Sequence, residues 1–220
     1  MNEPVIITLD GPAGVGKTTL ARELAAALGM PYLDTGAMFR FLALKAGTEN
    51  ISSQELEKLG REWSFDLEGT GAQTQLLANN RPIGEEIRTE RAGALASVLG
   101  KRPELRTALL QAQRSLAMKH SLVAEGRDLG TVVFPDARIK FFLDARPEAR
   151  AMRRWQEYAR LGRDESLAEI TEAIRRRDDQ DRTRAIAPLK PAEDAIVVDT
   201  SDLAIPQLLE ILLSHVNAGQ

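Results

Sequence analysis

Residues 5–19 read V-I-I-T-L-D-G-P-A-G-V-G-K-T-T, an apolar strand running into a glycine-rich turn that opens a helix. No other stretch restricts the possible folds so strongly. Gly11, Gly16, Lys17 and Thr18 satisfy the pattern G-x-x-x-x-G-K-[ST]. Glycines there let backbone N–H groups converge on phosphate oxygens, and the helix that follows points the positive end of its dipole at them. Gly11, Pro12, Ala13, Gly14, Val15, Gly16, Lys17, Thr18 and Thr19 are therefore the expected contacts to a nucleoside triphosphate. Lys17 would reach the β and γ phosphates, and Thr18 would hold Mg²⁺. Context agrees on both sides. Val5, Ile6, Ile7 and Leu9 form the run of a buried parallel strand, and Leu20, Leu24 and Leu28 recur every fourth residue until Gly29 ends the helix.

The same alternation continues down the chain. Tyr32 and Leu33 read as a second strand ending at Asp34-Thr35-Gly36, where Asp34 or Thr35 caps a helix that carries Met38, Phe41, Leu42 and Leu44 and stops at Gly47. Ser52 and Glu55 have the spacing of a capping box. Apolar runs at 122–124, 139–143 and 196–198 give three further strands, with helices over 89–99, 103–119, from 147, over 166–184 and through Leu208, Leu209, Leu212 and Leu213. Five short strands separated by helices predict an α/β fold with a parallel sheet covered on both faces. An excursion interrupts it. Trp63, Phe65 and Leu67 alternate, Gly69-Thr70-Gly71 turns, residues 73–78 return and Asn79-Asn80 turns again, which predicts a small inserted antiparallel sheet.

A chain of 220 residues suits one sizeable core with such an excursion. It has no cysteine, which excludes disulfides, a thiolate nucleophile and cysteine metal sites. That composition, with no signal peptide or long apolar run, points to the cytoplasm. The net charge of −3 gives no global pull toward nucleic acid or an anionic membrane, and neither is expected as a partner. Positive charge is nevertheless crowded: Arg150, Arg153, Arg154, Arg160, Arg163, Arg175, Arg176, Arg177, Arg182 and Arg184 fall within 146–184. Arginine's planar fork suits bidentate grips on phosphate, although a solvated helical surface shared with Glu148, Glu157, Glu169 and Glu172 would account for about half of these.

In open α/β sheets ligands lie beyond the carboxyl ends of the strands. Polar clusters follow each predicted strand, at 10–18, at Asp34-Thr35, at 125–128, at 144–146 and at Asp199-Thr200-Ser201, and one crevice is expected to hold them all. Arg177, Asp181 and Arg184 form a plus-minus-plus row on one helical face, either an intrahelical ion-pair ladder or a grip on a ligand.

Four stretches carry a resemblance: D-T-G-A-M-F-R at 34–40, E-I-R-T at 86–89, G-R-D-L-G-T-V-V-F-P-D-A at 126–137 and R-D-D-Q-D-R-T-R at 177–184. Together, in the same order and with the inserted sheet, they resemble the bacterial cytidylate kinases over nearly the whole chain. The resemblance implies a P-loop kinase fold of three α/β/α layers around a five-stranded parallel sheet. It divides the chain into a core (about 1–34, 107–149 and 165–220), a nucleoside-monophosphate-binding subdomain (about 35–106) holding the antiparallel sheet, and a short lid (about 150–164). It implies phosphoryl transfer from ATP to CMP or dCMP with Mg²⁺, by a monomer. Thr35, Arg40, Arg127 and Arg184 would surround the acceptor phosphate, Arg177 and Asp181 the sugar, and Ser97, Arg106 and Asp128 the cytosine. Lys17, Arg127, Arg153, Arg154 and Arg184 would be catalytic, with Arg150, Arg153 and Arg154 on the lid.

The chain departs from the family pattern in having Phe39 where many relatives have Tyr, Thr35 where many have Ser, and Glu125 where Asp is common. Other small-acceptor kinases, for shikimate, dTMP or AMP, are the nearest alternatives, but Asp34-Thr35-Gly36 lacks the second acid of the Asp-x-Asp usual in shikimate kinases. A GTP-hydrolysing switch would need N-K-x-D, which does not occur, and its D-x-x-G match, 66–69, falls in the predicted hairpin. A nucleotide-binding module without turnover stays open on motifs alone.

Overall fold

The computed structural model describes residues 4–218. Five parallel strands, β1 (Ile6–Asp10), β2 (Tyr32–Asp34), β6 (Leu122–Glu125), β7 (Ile139–Asp144) and β8 (Ile196–Asp199), make the main sheet in the order β2-β6-β1-β7-β8. The first strand thus lies in the middle, and chain connections leave it on both sides. This is the arrangement that opens a crevice at the carboxyl edge of the sheet.

Side-chain alternation along the strands splits the core into two layers. Ile7, Leu9, Val123, Ile139, Phe141 and Leu143 face α1 (Lys17–Leu28) and α8 (Ile205–Ala218), whose Leu20, Leu24, Leu208 and Leu212 complete that layer. Leu33, Leu122 and Ala124 face the other way, against α2 (Thr35–Ala46) and α5 (Pro103–Lys119). With period two in the strands, one residue's slip would exchange the side chains of the two buried layers and misfit both, so packing on the two faces fixes the register.

The elements start and stop where local chemistry requires. Gly29 and Gly47 take the left-handed conformation that ends α1 and α2, and Ser52 and Glu55 close a reciprocal capping box on α3 (Ser53–Glu62). The excursion is a three-stranded antiparallel sheet of β3 (Phe65–Glu68), β4 (Gln75–Ala78) and β5 (Arg81–Pro82). Asn79 and Asn80 have φ of 48° and 59°, the pair of positive values that a two-residue hairpin turn demands. Trp63 precedes β3 instead of joining it, and packs edge-on to Phe41 at 4.8 Å. Asp66, in the sequence match to a switch motif, pairs with Lys119 and His120 far from any phosphate loop.

Between β2 and β6 in the chain lies α4 (Glu90–Leu99), capped by Thr89, and between β7 and β8 lie α6 (Pro147–Arg160) and α7 (Leu167–Thr183), which pack on each other through Ala151, Ile170 and Ile174. Among the described residues no helix is long and apolar enough to cross a membrane.

Candidate active site

The loop after β1 can be built only from glycine at its first position. Gly11 has φ of 148°, and a β-carbon there would lie 2.0 Å from the carbonyl oxygen of Leu143. Gly16, left-handed, turns the chain into α1 and leaves the helix's first N–H groups free to meet an anion. Lys17 is buried and curls back across the loop, its Nζ donating to the carbonyls of Gly11 (2.8 Å) and Pro12 (2.6 Å). Dehydration, then the charge of Arg127, hold its ammonium well below the ordinary lysine value, against the pull of Glu125 and Asp10. The loop is braced from outside: the Thr200 hydroxyl donates to Val15 O (3.0 Å) and Arg150 to Ala13 O (3.2 Å).

Two carboxylates sit behind the loop. Asp10 accepts the backbone N–H groups of Leu129 (2.9 Å) and Gly130 (2.8 Å), yet burial outweighs them and raises its pKa to about 6. Glu125, at the end of β6, accepts from the Thr18 hydroxyl at 3.1 Å and from the Tyr32 hydroxyl, while burial and then the charge of Asp34 push its pKa up. Among the described residues no three His, Cys, Asp or Glu side chains gather into a metal cage. One hydroxyl backed by one carboxylate suits a hard cation that keeps its waters and takes its other ligands from phosphate.

The acceptor half is a set of arginines already held by acids. Asp34 caps α2 through Ala37 N (2.9 Å) and grips Arg40 (2.8 Å), whose buried Nε has no hydrogen-bond partner. Arg127 pairs with Asp181 (3.2 Å). Arg106 and Arg184 pair with the two oxygens of Asp128, at 3.0 and 3.1 Å, and Arg106 also donates to Gly100 O (2.7 Å) above the Phe39 ring. Arg177 makes no hydrogen bond or ion pair with any described residue; dehydration between the crevice walls, then Arg127, lower its proton affinity. Of the two readings of the row Arg177, Asp181 and Arg184, the intrahelical ladder does not form. Helix α7 ends at Thr183, Arg184 is extended, and Asp181 and Arg184 each reach across to the turn after β6.

One cavity of about 920 Å³ joins the two halves, lined by Gly14, Gly16, Lys17, Thr18 and Thr19 at one end and by Thr35, Arg40, Ser97, Arg106, Asp128 and Asp181 at the other. The family model for cytidylate kinase matches residues 7–218. The chain belongs to the cytidylate kinase family. A cytidylate kinase of Oleidesulfovibrio alaskensis is 51% identical over 216 residues, covering 97% of this chain and 99% of the relative. One from Nitratidesulfovibrio vulgaris is 52% identical over 215 residues, covering 97% and 93%. Among solved structures, an uncharacterized protein from Eubacterium ventriosum superposes with a TM-score of 0.54 at 12% identity, covering 97% of this chain and 98% of its own, a likeness of fold alone.

Within this family member the residues singled out from sequence divide into those the cavity brings together and those it does not. Lys17, Thr18, Thr35, Arg40, Ser97, Arg106, Arg127, Asp128, Arg177, Asp181 and Arg184 all line it. The clusters at Asp144 and Asp199 do not: Asp144 pairs with Arg182, and Arg146 with Asp202, at the far edge of the sheet. Arg150 differs most from expectation. It is 1% exposed and bound through both arms to Asp178 (2.9 and 2.5 Å), with further bonds to Ala145 O and Ala13 O, so in this structure it ties α6 to α7 and to the phosphate loop. Arg153 donates to the carbonyls of Thr200 and Ser201, while Arg154 reaches only Tyr158 (2.9 Å) on its own helix. Asp178 was not anticipated. The spacing Ile170, Ile174, Asp178 carries the signal, since it puts the carboxylate on the buried face of α7. His120 and His215 do not line the cavity.

Proposed function

We propose that this chain transfers the γ-phosphoryl group of ATP to CMP or dCMP, giving CDP or dCDP and ADP. The observation that carries the reading is the single cavity in which a phosphate loop faces the Arg106–Asp128 pair across a field of arginines. ATP phosphates would take the N–H groups of residues 11–19 and displace Lys17 from the carbonyls it now holds. Its lowered proton affinity marks a charge that gains most when phosphate arrives. Mg²⁺, held by Thr18 with phosphate oxygens and water, would neutralise charge between the β and γ phosphates.

The CMP phosphate is already an anion, so the reaction needs alignment and charge neutralisation more than a base. Arg40, with its unpartnered Nε, joins Thr35, Arg127 and Arg184 around it, and Arg177 with Asp181 meets the sugar. We assign the transferring phosphoryl to Lys17, Arg127 and Arg154; Arg153 supports the phosphate loop through Thr200. Phe39 brings no hydroxyl to the acceptor and stacks under Arg106 instead. Ser97, Arg106 and Asp128 read cytosine, the carboxylate accepting from the 4-amino group. The proposed organisation is a core, an acceptor subdomain over about 35–106 and a lid that starts after Arg150 and runs to about 164. The enzyme is proposed to act as a cytoplasmic monomer without nucleic-acid or membrane partners.

The test is ADP release with CMP, dCMP, UMP, dTMP, AMP and shikimate as acceptors. Strong preference for CMP and dCMP is expected. Turnover led by any other acceptor, or ATP hydrolysis indifferent to all of them, would overturn the reading.

A further inference from the structure

A second cavity, of about 230 Å³, opens from the acceptor half of the first, and Thr35, Phe39, Arg106 and Asp128 are walls of both. Behind them it is lined by Leu110 of α5, by Leu129, Val132 and Val133 of the wide helical turn Leu129–Val133, and by Gln113. Gln113 does not fit a merely structural role. It continues the row Leu105, Leu109 and Leu116, all fully buried on the core face of α5, and is itself only 2% exposed. A leucine there would extend that packing. Instead the position holds an amide that makes no hydrogen bond with any described residue and lies at the cavity wall. A buried, unpaired amide is unfavourable for folding alone, so its partner is expected to come from the cavity.

The direction of the chamber identifies what could supply that partner. This rests on the proposed reading of the base site, with Asp128 at the 4-amino group and, on that reading, Arg106 at the ring nitrogen and Ser97 at the C2 carbonyl; Ser97 lines the larger cavity only. In a pyrimidine C5 is across the ring from C2 and next to the carbon bearing the amino group. The C5 edge therefore faces away from Ser97, past Asp128, into the smaller chamber. We infer that this chamber receives a substituent on C5 of the cytosine ring, with apolar walls for its carbon and Gln113 to hydrogen-bond a terminal hydroxyl. The substrate class then includes 5-hydroxymethyl and 5-methyl cytosine nucleotides besides the unmodified ones.

The experiment measures kcat/KM of the full chain for dCMP, 5-methyl-dCMP and 5-hydroxymethyl-dCMP, with binding of each followed by calorimetry. For the wild type, 5-hydroxymethyl-dCMP should fall within about tenfold of dCMP. Gln113→Leu should melt no lower than the wild type, since it restores the leucine row, and should lower kcat/KM for 5-hydroxymethyl-dCMP about tenfold more than for dCMP, the weight of one lost hydrogen bond. Leu110→Phe, which narrows the chamber, should lower both 5-substituted substrates against dCMP. Rejection of both 5-substituted nucleotides by the wild type by more than about a hundredfold, or an equal effect of Gln113→Leu on all three, overturns the inference and leaves the amide to a buried water. If 5-hydroxymethyl-dCMP bound but no cytosine nucleotide were phosphorylated, the chamber would stand and the proposed function would fall.

Discussion

Replacing Arg150 by methionine separates a frame residue from a catalytic one. The side chain keeps most of its apolar stem but is shorter and loses four hydrogen bonds: two to Asp178 and one each to Ala145 O and Ala13 O. Asp178, 7% exposed, is left as a buried carboxylate without its counter-charge. Removing one partner of such a pair costs about 3–5 kcal/mol. For a domain of this size each kcal/mol moves the melting temperature by about 2–4 °C, so Arg150→Met should melt about 6–20 °C below the wild type. Adding Asp178→Leu removes the orphaned charge and should recover most of that loss. Recovery stays incomplete because Ala13 O and Ala145 O still lack a donor, each worth about 1–3 kcal/mol if dry. Since Ala13 belongs to the phosphate loop, KM for ATP should rise in both variants. Thermal unfolding and steady-state kinetics on the single and double variants test this. An Arg150→Met protein that melts within about 2 °C of the wild type while kcat falls a hundredfold would refute it and return Arg150 to the chemistry.

Three further outcomes follow from the site. Lys17→Ala should reduce phosphoryl transfer by ~10²–10³ without lowering the melting temperature, because the ammonium is buried and its loss relieves dehydration; more than about a tenth of the activity remaining would sink the role. Asp128→Asn should narrow the preference for CMP over UMP by weakening CMP and offering uracil's carbonyl a donor, whereas equal losses on both would leave Asp128 only as the tie between Arg106 and Arg184. Asp10 titrates near 6 in the native state against 3.8 for the free group, so the native state binds more protons between these values and stability falls as pH rises through about 4 to 6, by up to about 3 kcal/mol. Urea midpoints of Asp10→Asn against the wild type should therefore show the variant gaining relative stability over that window; a gap that is constant with pH rules the account out.

What the sequence made legible is what depends on short range. The phosphate loop declares itself because Gly11 and Gly16 have backbone conformations that other residues rarely adopt, and the caps at Asp34, Ser52 and Gly47 satisfy orphaned helix groups within three or four residues. The strand pattern likewise gave five strands, one of which, the edge strand β8, leaves Val197 exposed; it did not give their order, because pairing between β1 and β6 joins residues more than a hundred apart. Arginine roles were the hardest to read. Arg150 and Arg154 look alike in sequence, and what separates them is an acid on another helix, 28 residues on from Arg150. Asp181 and Arg184, spaced as a ladder, went to partners in the turn after β6 because α7 stops between them. Gln113 drew no notice because a polar residue on a helix ordinarily reads as surface; only its place in the leucine row betrays burial.

The charge of the chain and the charge of its cavity have opposite sign, and that opposition accounts for the ion pairs in the site. Ten cationic side chains and five carboxylates line the cavity, an excess of five positive charges in a chain whose net charge is −3. Such a concentration attracts a polyanion and concentrates it where the walls exclude water. Without a polyanion the same charges repel one another, and the repulsion is contained by the pairs themselves: Asp34 on Arg40, Asp181 on Arg127, and Asp128 on both Arg106 and Arg184. Each acid holds its guanidinium by one edge, which fixes the fork in advance and leaves other N–H groups for the ligand, so less rotamer freedom is lost on binding. Among the described residues Arg177 has no such holder and Arg154 only a tyrosine hydroxyl, so the ion pairs leave these two guanidiniums unfixed. Arg177 belongs to the acceptor groove and Arg154 to α6, so the proposed closure over the triphosphate, where hydrolysis would compete with transfer, would draw on Arg154.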